Sequence, residues 1–166
     1  MNNYMKLEIA AKSVNEGFAR SAVAAFTLSL NPTLTELSDI KTAVSEAVTN
    51  AIVHAYAGSE DNKIVIECIM EETEGELGGV LHIKITDYGC GIEDVEKALM
   101  PFYTTLADEE RSGMGFTIMQ TFCDGFSVKS EKGKGTTVEL IKKIGAGAIC
   151  TDALEGDNRE KERLNA

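Results

Sequence analysis

The sequence predicts an α/β fold of two layers, in which helices cover one face of a mixed, mostly antiparallel sheet. Its 166 residues, 43% of them hydrophobic, suit a single domain with its own core. The predicted elements follow the order strand, two helices, two strands, short helices, two strands. Consecutive strands are joined by hairpins rather than by crossover helices, which favours antiparallel pairing.

The N-terminal third is predicted to contain one strand and two helices. Residues 4–12 alternate as in a half-buried strand, and residues 13–30 carry apolar side chains at helical spacing. An Asn-Pro pair then interrupts the helical pattern. Thr33 and Glu36 form a capping box, so we expect a second helix from there to about Tyr56.

The middle of the chain is predicted to fold as a hairpin followed by an irregular segment. Residues 63–72 and 80–89 have the pattern of strands on either side of the loop TEGELGG, and they should pair antiparallel. A short helix is expected over residues 92–100. The long stretch over residues 101–115 has no clear period, and such loops in compact domains are usually functional.

The C-terminal part is predicted to contain a helix, a hairpin and a tail. The helix spans residues 116–125 and is closed by Gly125, and a strand, a Gly-rich turn and a strand continue to Ile144. After Ile144 the pattern dissolves into small and then charged residues. We therefore expect one folded domain over residues 1–144 and a loosely ordered tail over residues 145–166.

Charge and composition exclude several classes of protein. The net charge of −11 opposes nonspecific nucleic-acid binding, which needs a basic surface, and it leaves room for a basic protein partner. No apolar run approaches the roughly 20 residues of a membrane helix, and the N-terminus does not resemble a signal peptide. We therefore expect a cytoplasmic protein with no membrane partner. The four cysteines lack CxxC spacing and are expected to be reduced thiols.

Two polar residues stand out in the second predicted helix, within the stretch VSEAVTNAIVHAYA. Glu46 and Asn50 lie four residues apart and therefore share one helix face. A carboxamide oxygen can bind Mg²⁺, and a carboxylate can orient or deprotonate a nucleophile. Burying an ionised carboxylate without partners costs several kcal/mol, so we expect this face to line a cavity rather than a dry core.

Two glycine-containing stretches suggest what such a cavity binds. DYGCGI, which starts at Asp87, ends a strand, and SGMGF, which contains Gly113 and Gly115, precedes a helix. Each alone is most often a tight turn, and neither fits the dinucleotide fingerprint or the P-loop. Together they offer a carboxylate for an exocyclic amine and a helix N-terminus for phosphates. Combined with Glu46 and Asn50, they predict a nucleotide site.

The chain resembles the GHKL, or Bergerat-fold, superfamily of ATPases and kinases in four boxes. The N, G1, G2 and final boxes correspond to EAVTN, DYGCG, RSGMGF and the GT at residues 135–136. The stretches FAR, IKTAVSEAVTNAIVHAY, FYTT and ERSGMGFTIMQTF are more similar to one branch, the anti-sigma factors of spore-forming bacteria. Members of that branch are serine kinases that also hold a sigma factor. The resemblance covers roughly residues 4–143 and gives no counterpart for the tail.

The resemblance implies ATP and Mg²⁺ as cofactors and a role for each box. Glu46 is implied to be the catalytic base or to position the nucleophile, and Asn50 to coordinate Mg²⁺. Asp87 is implied to bind the adenine amino group, with Thr136 supporting the adenine end, and residues 101–112 are implied to form an ATP lid. The other implied nucleotide-binding residues are Gly89, Gly91, Thr104, Thr105, Arg111, Ser112, Gly113, Met114, Gly115 and Phe116.

The resemblance also implies partners and leaves alternatives. The partners are a sporulation-type sigma factor contacted through Arg20, an anti-anti-sigma protein phosphorylated on serine, and a second copy of the chain in a homodimer. The alternatives are a stress-response-type switch kinase, a fragment of a non-kinase GHKL ATPase, and an ATP-dependent binding module without catalysis. His54 lies four residues after Asn50 and could face the site, although such a histidine is more often structural, and His82 is expected to be structural.

Overall fold

The computed structural model describes residues 2–57, 59, 61–73, 77–101 and 113–145 and arranges them in two layers. One layer is a five-stranded sheet in the order β1-β2-β3-β5-β4, with antiparallel pairing between all neighbours. The predicted fold class is confirmed. The strands are β1 (Asn2–Ala10), β2 (Lys63–Glu72), β3 (Gly79–Asp87), β4 (Gly125–Glu131) and β5 (Gly135–Ile144).

The second layer consists of helices. The predicted capping box is present at the start of α2, where the Glu36 N–H donates to Thr33 Oγ1 and the Thr33 N–H donates to the Glu36 carboxylate. These two bonds satisfy donors that the first turn cannot pair internally. The helices are α1 (Val14–Thr27, followed by a 3₁₀ turn at Leu28–Leu30), α2 (Leu34–Asn50), α3 (Val95–Ala98) and α4 (Gly115–Phe122).

The C-terminal end of α2 differs from a regular helix. The sequence predicts one helix to about Tyr56, whereas the α-helix ends at Asn50 and the next five residues, Ala51–Ala55, form a π-helical turn. Turns of this kind are rare and occur frequently at functional sites. Here the wider turn begins directly after one of the predicted site residues.

The end of α4 is a correction to the sequence analysis. Gly125 does not close the helix, which ends at Phe122, because Cys123 is already extended (φ −113°, ψ 148°). Gly125 instead begins β4 opposite Ile141, where an added Cβ would lie 3.1 Å from the Ile141 side chain. The glycine is thus explained by a neighbouring strand rather than by a helix cap.

The core lies between the helices and one face of the sheet. The inward residues of β2 and β3 are buried together with one face of α2, which comprises Ile40, Ala43, Val44, Ala47 and Val48. The opposite face carries charged residues in register across four strands, namely Lys6, Glu67, Lys84 and Glu139. Among the described helices, none combines the length and the apolarity needed to cross a bilayer.

The predicted tail and most of the predicted lid cannot be compared with the structure. Residues 102–112 and 146–166 lie outside the described residues. Within the described part, the last strand, β5, ends at Ile144.

Candidate functional site

A cavity of about 970 Å³ lies between α2, the end of β3, the start of α4 and the turn between β4 and β5. This size suits a small-molecule ligand. The cavity brings together most of the described residues that the sequence assigns to the site, namely Glu46, Asn50, Asp87, Gly91, Gly113, Met114, Gly115, Phe116 and Thr136.

Other predicted site residues lie elsewhere. Gly89 does not line the cavity, and an added Cβ there would collide with the carbonyl oxygen of Ala55. Arg20 lies on α1, outside the cavity, with its guanidinium 3.4 Å from Glu16 Oε1. The predicted lid residues Thr104, Thr105, Arg111 and Ser112 are outside the described part of the chain.

One end of the cavity is formed by Glu46, Asn50 and the N-terminus of α4. Both side chains are half-buried and project from α2. A Cβ on Gly115, the first residue of α4, would lie 3.1 Å from Asn50 Nδ2 and 3.2 Å from Glu46 Oε2. The glycine therefore allows the start of α4 to approach the polar pair closely. A helix N-terminus carries unpaired N–H groups and a positive dipole end, so this end of the cavity suits anionic oxygens.

A nearly buried lysine fixes α4 against its neighbours. Lys142 Nζ donates to the carbonyl oxygen of Phe122, at the end of α4, and to Asp39 Oδ2 on α2, both at 2.8 Å. The two charged side chains are only 13% and 19% exposed, so the pair is shielded from solvent screening. Because Lys142 belongs to β5, it connects three elements and holds α4 in position relative to Glu46 and Asn50.

The other end of the cavity is formed by Asp87, at the end of β3. Its side chain is only 6% exposed, and its Oδ1 accepts hydrogen bonds from the backbone N–H groups of Gly89 at 3.0 Å and Thr136 at 3.1 Å. Burial raises the pKa of this carboxyl, and the two hydrogen bonds partly offset that rise. Both of these hydrogen bonds from described residues go to Oδ1. The second oxygen, Oδ2, can therefore accept a hydrogen bond from a ligand donor such as an exocyclic amine.

The loop after Asp87 packs on the turn between β4 and β5. Ser130 Oγ accepts the N–H of Ile92 at 2.7 Å and lies 2.9 Å from Thr136 Oγ1. Gly91 has φ +67°, and an added Cβ would collide with the carbonyl oxygen of Glu131. Gly91 is therefore required by contact with the protein's own backbone, whatever occupies the cavity.

Several cavity residues were not predicted from the sequence. Ile85 and Val138 form an apolar part of the wall, and the strand period could have found them because they pair in register two residues from Asp87 and Thr136. Cys90, Lys97 and Lys132 also line the cavity, and Lys132 Nζ contacts Glu93 Oε2 at 2.8 Å. Cys90 and Lys132 lie in loops that have no periodicity, and Lys97 lies in the short helix α3. His54, whose role the sequence left open, lines the cavity as well.

The donor set fits a magnesium nucleotide better than a metal held by protein alone. Among the described residues there is no group of three or more His, Cys, Asp or Glu side chains that could hold a metal ion. Mg²⁺ bound with a nucleotide takes one or two protein ligands and completes its shell with phosphate oxygens and water. The Asn50 carboxamide, with Glu46 and the α4 N-terminus beside it, matches that requirement.

A sheet covered on one face by helices, with this cavity at the end of β3 and the start of β5, defines a class of ATPase domain. The family model described as the histidine kinase-like ATPase domain matches residues 9–142. A solved structure of the RsbU and RsbW domains of a Mycobacterium tuberculosis protein has the same fold, with a TM-score of 0.57 and 15% identity over 86% of this chain and 32% of that chain. The chain spans about a third of the length of that structure.

Curated relatives narrow the class further. A Clostridium botulinum protein named Anti-sigma F factor is 57% identical over 86% of this chain and 95% of its own length. A Caldanaerobacter subterraneus protein of the same name is 54% identical over 87% of this chain and 96% of its own length. The chain belongs to the histidine kinase-like ATPase family and, within it, to the anti-sigma F factors.

Proposed function

We propose that this chain binds Mg²⁺-ATP in the cavity, holds a sporulation-type sigma factor and phosphorylates an anti-anti-sigma protein on serine. The observation that carries the proposal is that two different sets of polar groups lie at opposite ends of one cavity. A buried carboxylate, Asp87, lies at one end, and Glu46, Asn50 and a helix N-terminus lie at the other. The name of the relatives supports a sigma factor as the protein that is held.

The residues at the two ends of the cavity each have a role in the proposed mechanism. Asp87 accepts a hydrogen bond from the adenine amino group, and the N-terminus of α4 faces the phosphates. Asn50 would hold Mg²⁺, which, when bound, supplies positive charge to the transferring phosphoryl group. Glu46 orients the incoming serine hydroxyl and accepts its proton. From the resemblance, Thr104, Thr105 and Arg111 of the lid contribute near the phosphates.

The proposed partner surface is separate from the cavity but connected to it. Arg20 pairs with Glu16, and Glu16 Oε1 also accepts a hydrogen bond from Ser45 Oγ at 2.6 Å. Ser45 precedes Glu46 on α2, so α1 contacts the catalytic helix next to its proposed base. We expect Arg20→Ala to lose the sigma factor while ATP affinity is unchanged, because Arg20 does not line the cavity.

The experiment that tests the function is a phosphorylation assay with candidate substrates. The chain is mixed with [γ-³²P]ATP, Mg²⁺ and an anti-anti-sigma protein, and the product is examined for phosphoserine. A version ending at residue 144 is assayed in parallel, since we propose that residues 1–144 act as the functional domain. Sigma-factor pull-down in ATP tests the holding activity, and the identity of the sigma factor retained separates the sporulation assignment from the stress-response alternative.

A second candidate is an ATP-dependent binding module without catalysis. The relatives' name refers to a sigma factor and does not mention phosphoryl transfer. Sigma retention that depends on ATP, with no phosphoserine on any candidate substrate, would favour this candidate. Glu46 beside Asn50 in the cavity favours the kinase instead.

A further inference from the structure

Tyr56, directly after the π-helical turn, contacts the segment that carries Asp87. Its side chain is buried, with 8% exposure, and belongs to the core. Its hydroxyl donates to the carbonyl oxygen of Lys63 at 2.6 Å and accepts the backbone N–H of Tyr88 at 2.7 Å. One hydroxyl therefore joins the start of β2 to the residue immediately after Asp87.

The backbone after Asp87 is held by three successive N–H groups. The N–H of Tyr88 donates to the Tyr56 hydroxyl, that of Gly89 to Asp87 Oδ1, and that of Cys90 to the carbonyl oxygen of Ala55 at 3.0 Å. Two of the three acceptors belong to the last residue of the π-helical turn, Ala55, and to Tyr56, which follows it. The direction of the Asp87 carboxylate depends on this backbone, because the second bond comes from a loop residue that folds back onto it.

The chemistry of the tyrosine suits this position. A hydroxyl can donate and accept at once, so it satisfies a carbonyl oxygen and an N–H group with a single atom. Burial raises the pKa of Tyr56, so the hydroxyl keeps its proton at neutral pH and can donate to Lys63. Phenylalanine would fill the same volume and leave both backbone groups without this partner.

We propose that Tyr56 is a positioning residue for adenine recognition, acting through the Tyr88 backbone on the orientation of the Asp87 carboxylate. The inference rests on the proposed binding of ATP and adds Tyr56 to the residues that determine how adenine is recognised. A purely structural tyrosine would affect every ligand of the cavity alike. A tyrosine that acts through Asp87 affects the affinity of a ligand only to the extent that the ligand donates a hydrogen bond from an adenine amino group to Asp87.

The test is a comparison of two nucleotides in the variant Tyr56→Phe. Dissociation constants are measured by calorimetry for Mg²⁺-ATP and for Mg²⁺-inosine triphosphate, which carries an oxygen in place of the amino group. We expect the constant for ATP to rise about tenfold, on the scale of one lost hydrogen bond, and that for inosine triphosphate to change less than about threefold. An equal rise for both nucleotides, or no rise for either, overturns the proposal.

A matched variant controls for loss of a tyrosine hydroxyl. Tyr4→Phe removes a hydrogen bond to Glu67 Oε1 on the outer face of the sheet, and Tyr4 does not line the cavity. Both dissociation constants should stay at the wild-type values in this variant. If they change as in Tyr56→Phe, the effect is not specific to the Asp87 segment and the proposal fails.

A measurement on the unaltered protein covers the case in which Tyr56→Phe does not fold. Hydrogen exchange at the Tyr88 amide should slow more with saturating ATP than with saturating inosine triphosphate, and equal slowing contradicts the proposal. The wild-type dissociation constants distinguish a failure of the proposed adenine site from a failure of the role of Tyr56. No preference for ATP over inosine triphosphate overturns adenine recognition by Asp87 itself, whereas a preference that survives Tyr56→Phe overturns only the role of Tyr56.

Discussion

The two ends of the cavity are built in different ways. At the Asp87 end, the carboxylate is buried and held by backbone N–H groups of the loop after β3 and of β5. At the Glu46 end, half-buried side chains from one turn of α2 face the first residue of α4. At the first end, main-chain N–H groups hold the carboxylate in place. At the second end, side-chain oxygens face the cavity.

Under the proposed function, this difference predicts that one end acts mainly on nucleotide affinity and the other mainly on the rate of phosphoryl transfer. A carboxylate already held in place recognises the base in the ground state and the transition state alike, so it contributes to binding. A carboxylate beside the transferred group acts mainly on the proton that moves in the transition state. Substitutions at the two ends should therefore separate nucleotide affinity from turnover.

The largest effect is expected at Glu46. Glu46→Gln is nearly isosteric and neutral, so it should bind Mg²⁺-ATP with close to wild-type affinity and retain the sigma factor. Serine phosphorylation should fall by about 10²–10⁴-fold, the usual cost of removing a general base. Calorimetry and single-turnover phosphoserine formation measure the two quantities.

A control on the same helix face sharpens the Glu46 prediction. Asn50→Ala should lower both ATP affinity and turnover, because Asn50 is assigned to the metal that accompanies the nucleotide. Wild-type turnover in Glu46→Gln would contradict the role of base and leave a positioning role for that carboxylate.

A second large effect is expected at Gly135, which begins β5 directly after the turn from β4, at the Asp87 end. Gly135 has φ +98°, and a Cβ would collide with the carbonyl oxygen of Asp87. Gly135→Ala should therefore lower the free energy of unfolding by about 2–4 kcal/mol and disturb ATP binding. Chemical denaturation with and without ATP measures both effects.

The same turn supplies a matched control for Gly135. Gly133 also has positive φ, +79°, but an added Cβ there meets nothing within 4 Å. Gly133→Ala should cost only the backbone strain, about 1–2 kcal/mol, and should leave ATP affinity unchanged. Equal losses of stability in the two variants would show that the close approach to Asp87 is not what requires Gly135.

The order of elements and much of the site could be predicted because their signals are local. Alternation, helical spacing and the capping box at Thr33 and Glu36 determine where strands and helices begin. The helix period predicted that Glu46 and Asn50 share one face, and in the structure both residues line the cavity. These inferences need no knowledge of what packs against each element.

The features that were missed depend on contacts between distant residues. Gly125 lies in a strand in close contact with Ile141 and α4 ends before it, at Phe122, so the interpretation of Gly125 as a helix cap was wrong. The π-helical turn after Asn50 has the composition of an ordinary helix. The bond from Tyr88 to the Tyr56 hydroxyl joins residues 32 positions apart and leaves no periodic signal.

A smaller effect, about tenfold, is expected at Asp87. Asp87→Asn keeps an oxygen for the two backbone donors but loses the charge that binds the adenine amino group, so ATP affinity should fall about tenfold or more. GTP, which lacks that amino group, should bind poorly to the wild type. Calorimetry with both nucleotides measures these affinities, and equal binding of ATP and GTP by the wild type would contradict the placement of adenine at Asp87.

The stability of the same variant should change in the opposite direction. The folded protein holds the Asp87 proton more tightly than the unfolded chain does, because burial raises the pKa above the ordinary 3.8. Ionised Asp87 therefore destabilises the fold at every pH above its raised pKa, and this cost disappears as the pH falls below 3.8. At pH 7 the free Asp87→Asn protein should unfold at a higher temperature than the wild type. A clear loss of stability instead would indicate that the carboxylate is mainly structural.

The smallest effect on affinity is expected at Cys90, which lines the cavity wall. Its exposed Sγ lies 3.2 Å from the carbonyl oxygen of His54, and serine keeps a donor at this position. Cys90→Ser should therefore change ATP affinity less than about twofold. The thiol is nevertheless a sensitive reporter, because an alkyl group attached there would project from the wall.

Alkylation of Cys90 tests whether the nucleotide occupies this wall. Burial raises the pKa of Cys68 to about 12 and that of Cys123 to about 11, so these thiols are protonated and unreactive near pH 8. In a Cys150→Ser background, a maleimide should react first at Cys90, and Cys90→Ser should abolish this rapid phase. Saturating Mg²⁺-ATP should slow the reaction about tenfold or more, because Cys90 lines the cavity and a bound nucleotide would limit access to its thiol. An unchanged rate at a saturating concentration of ATP would mean that the bound nucleotide does not cover Cys90, which would contradict its placement against this wall.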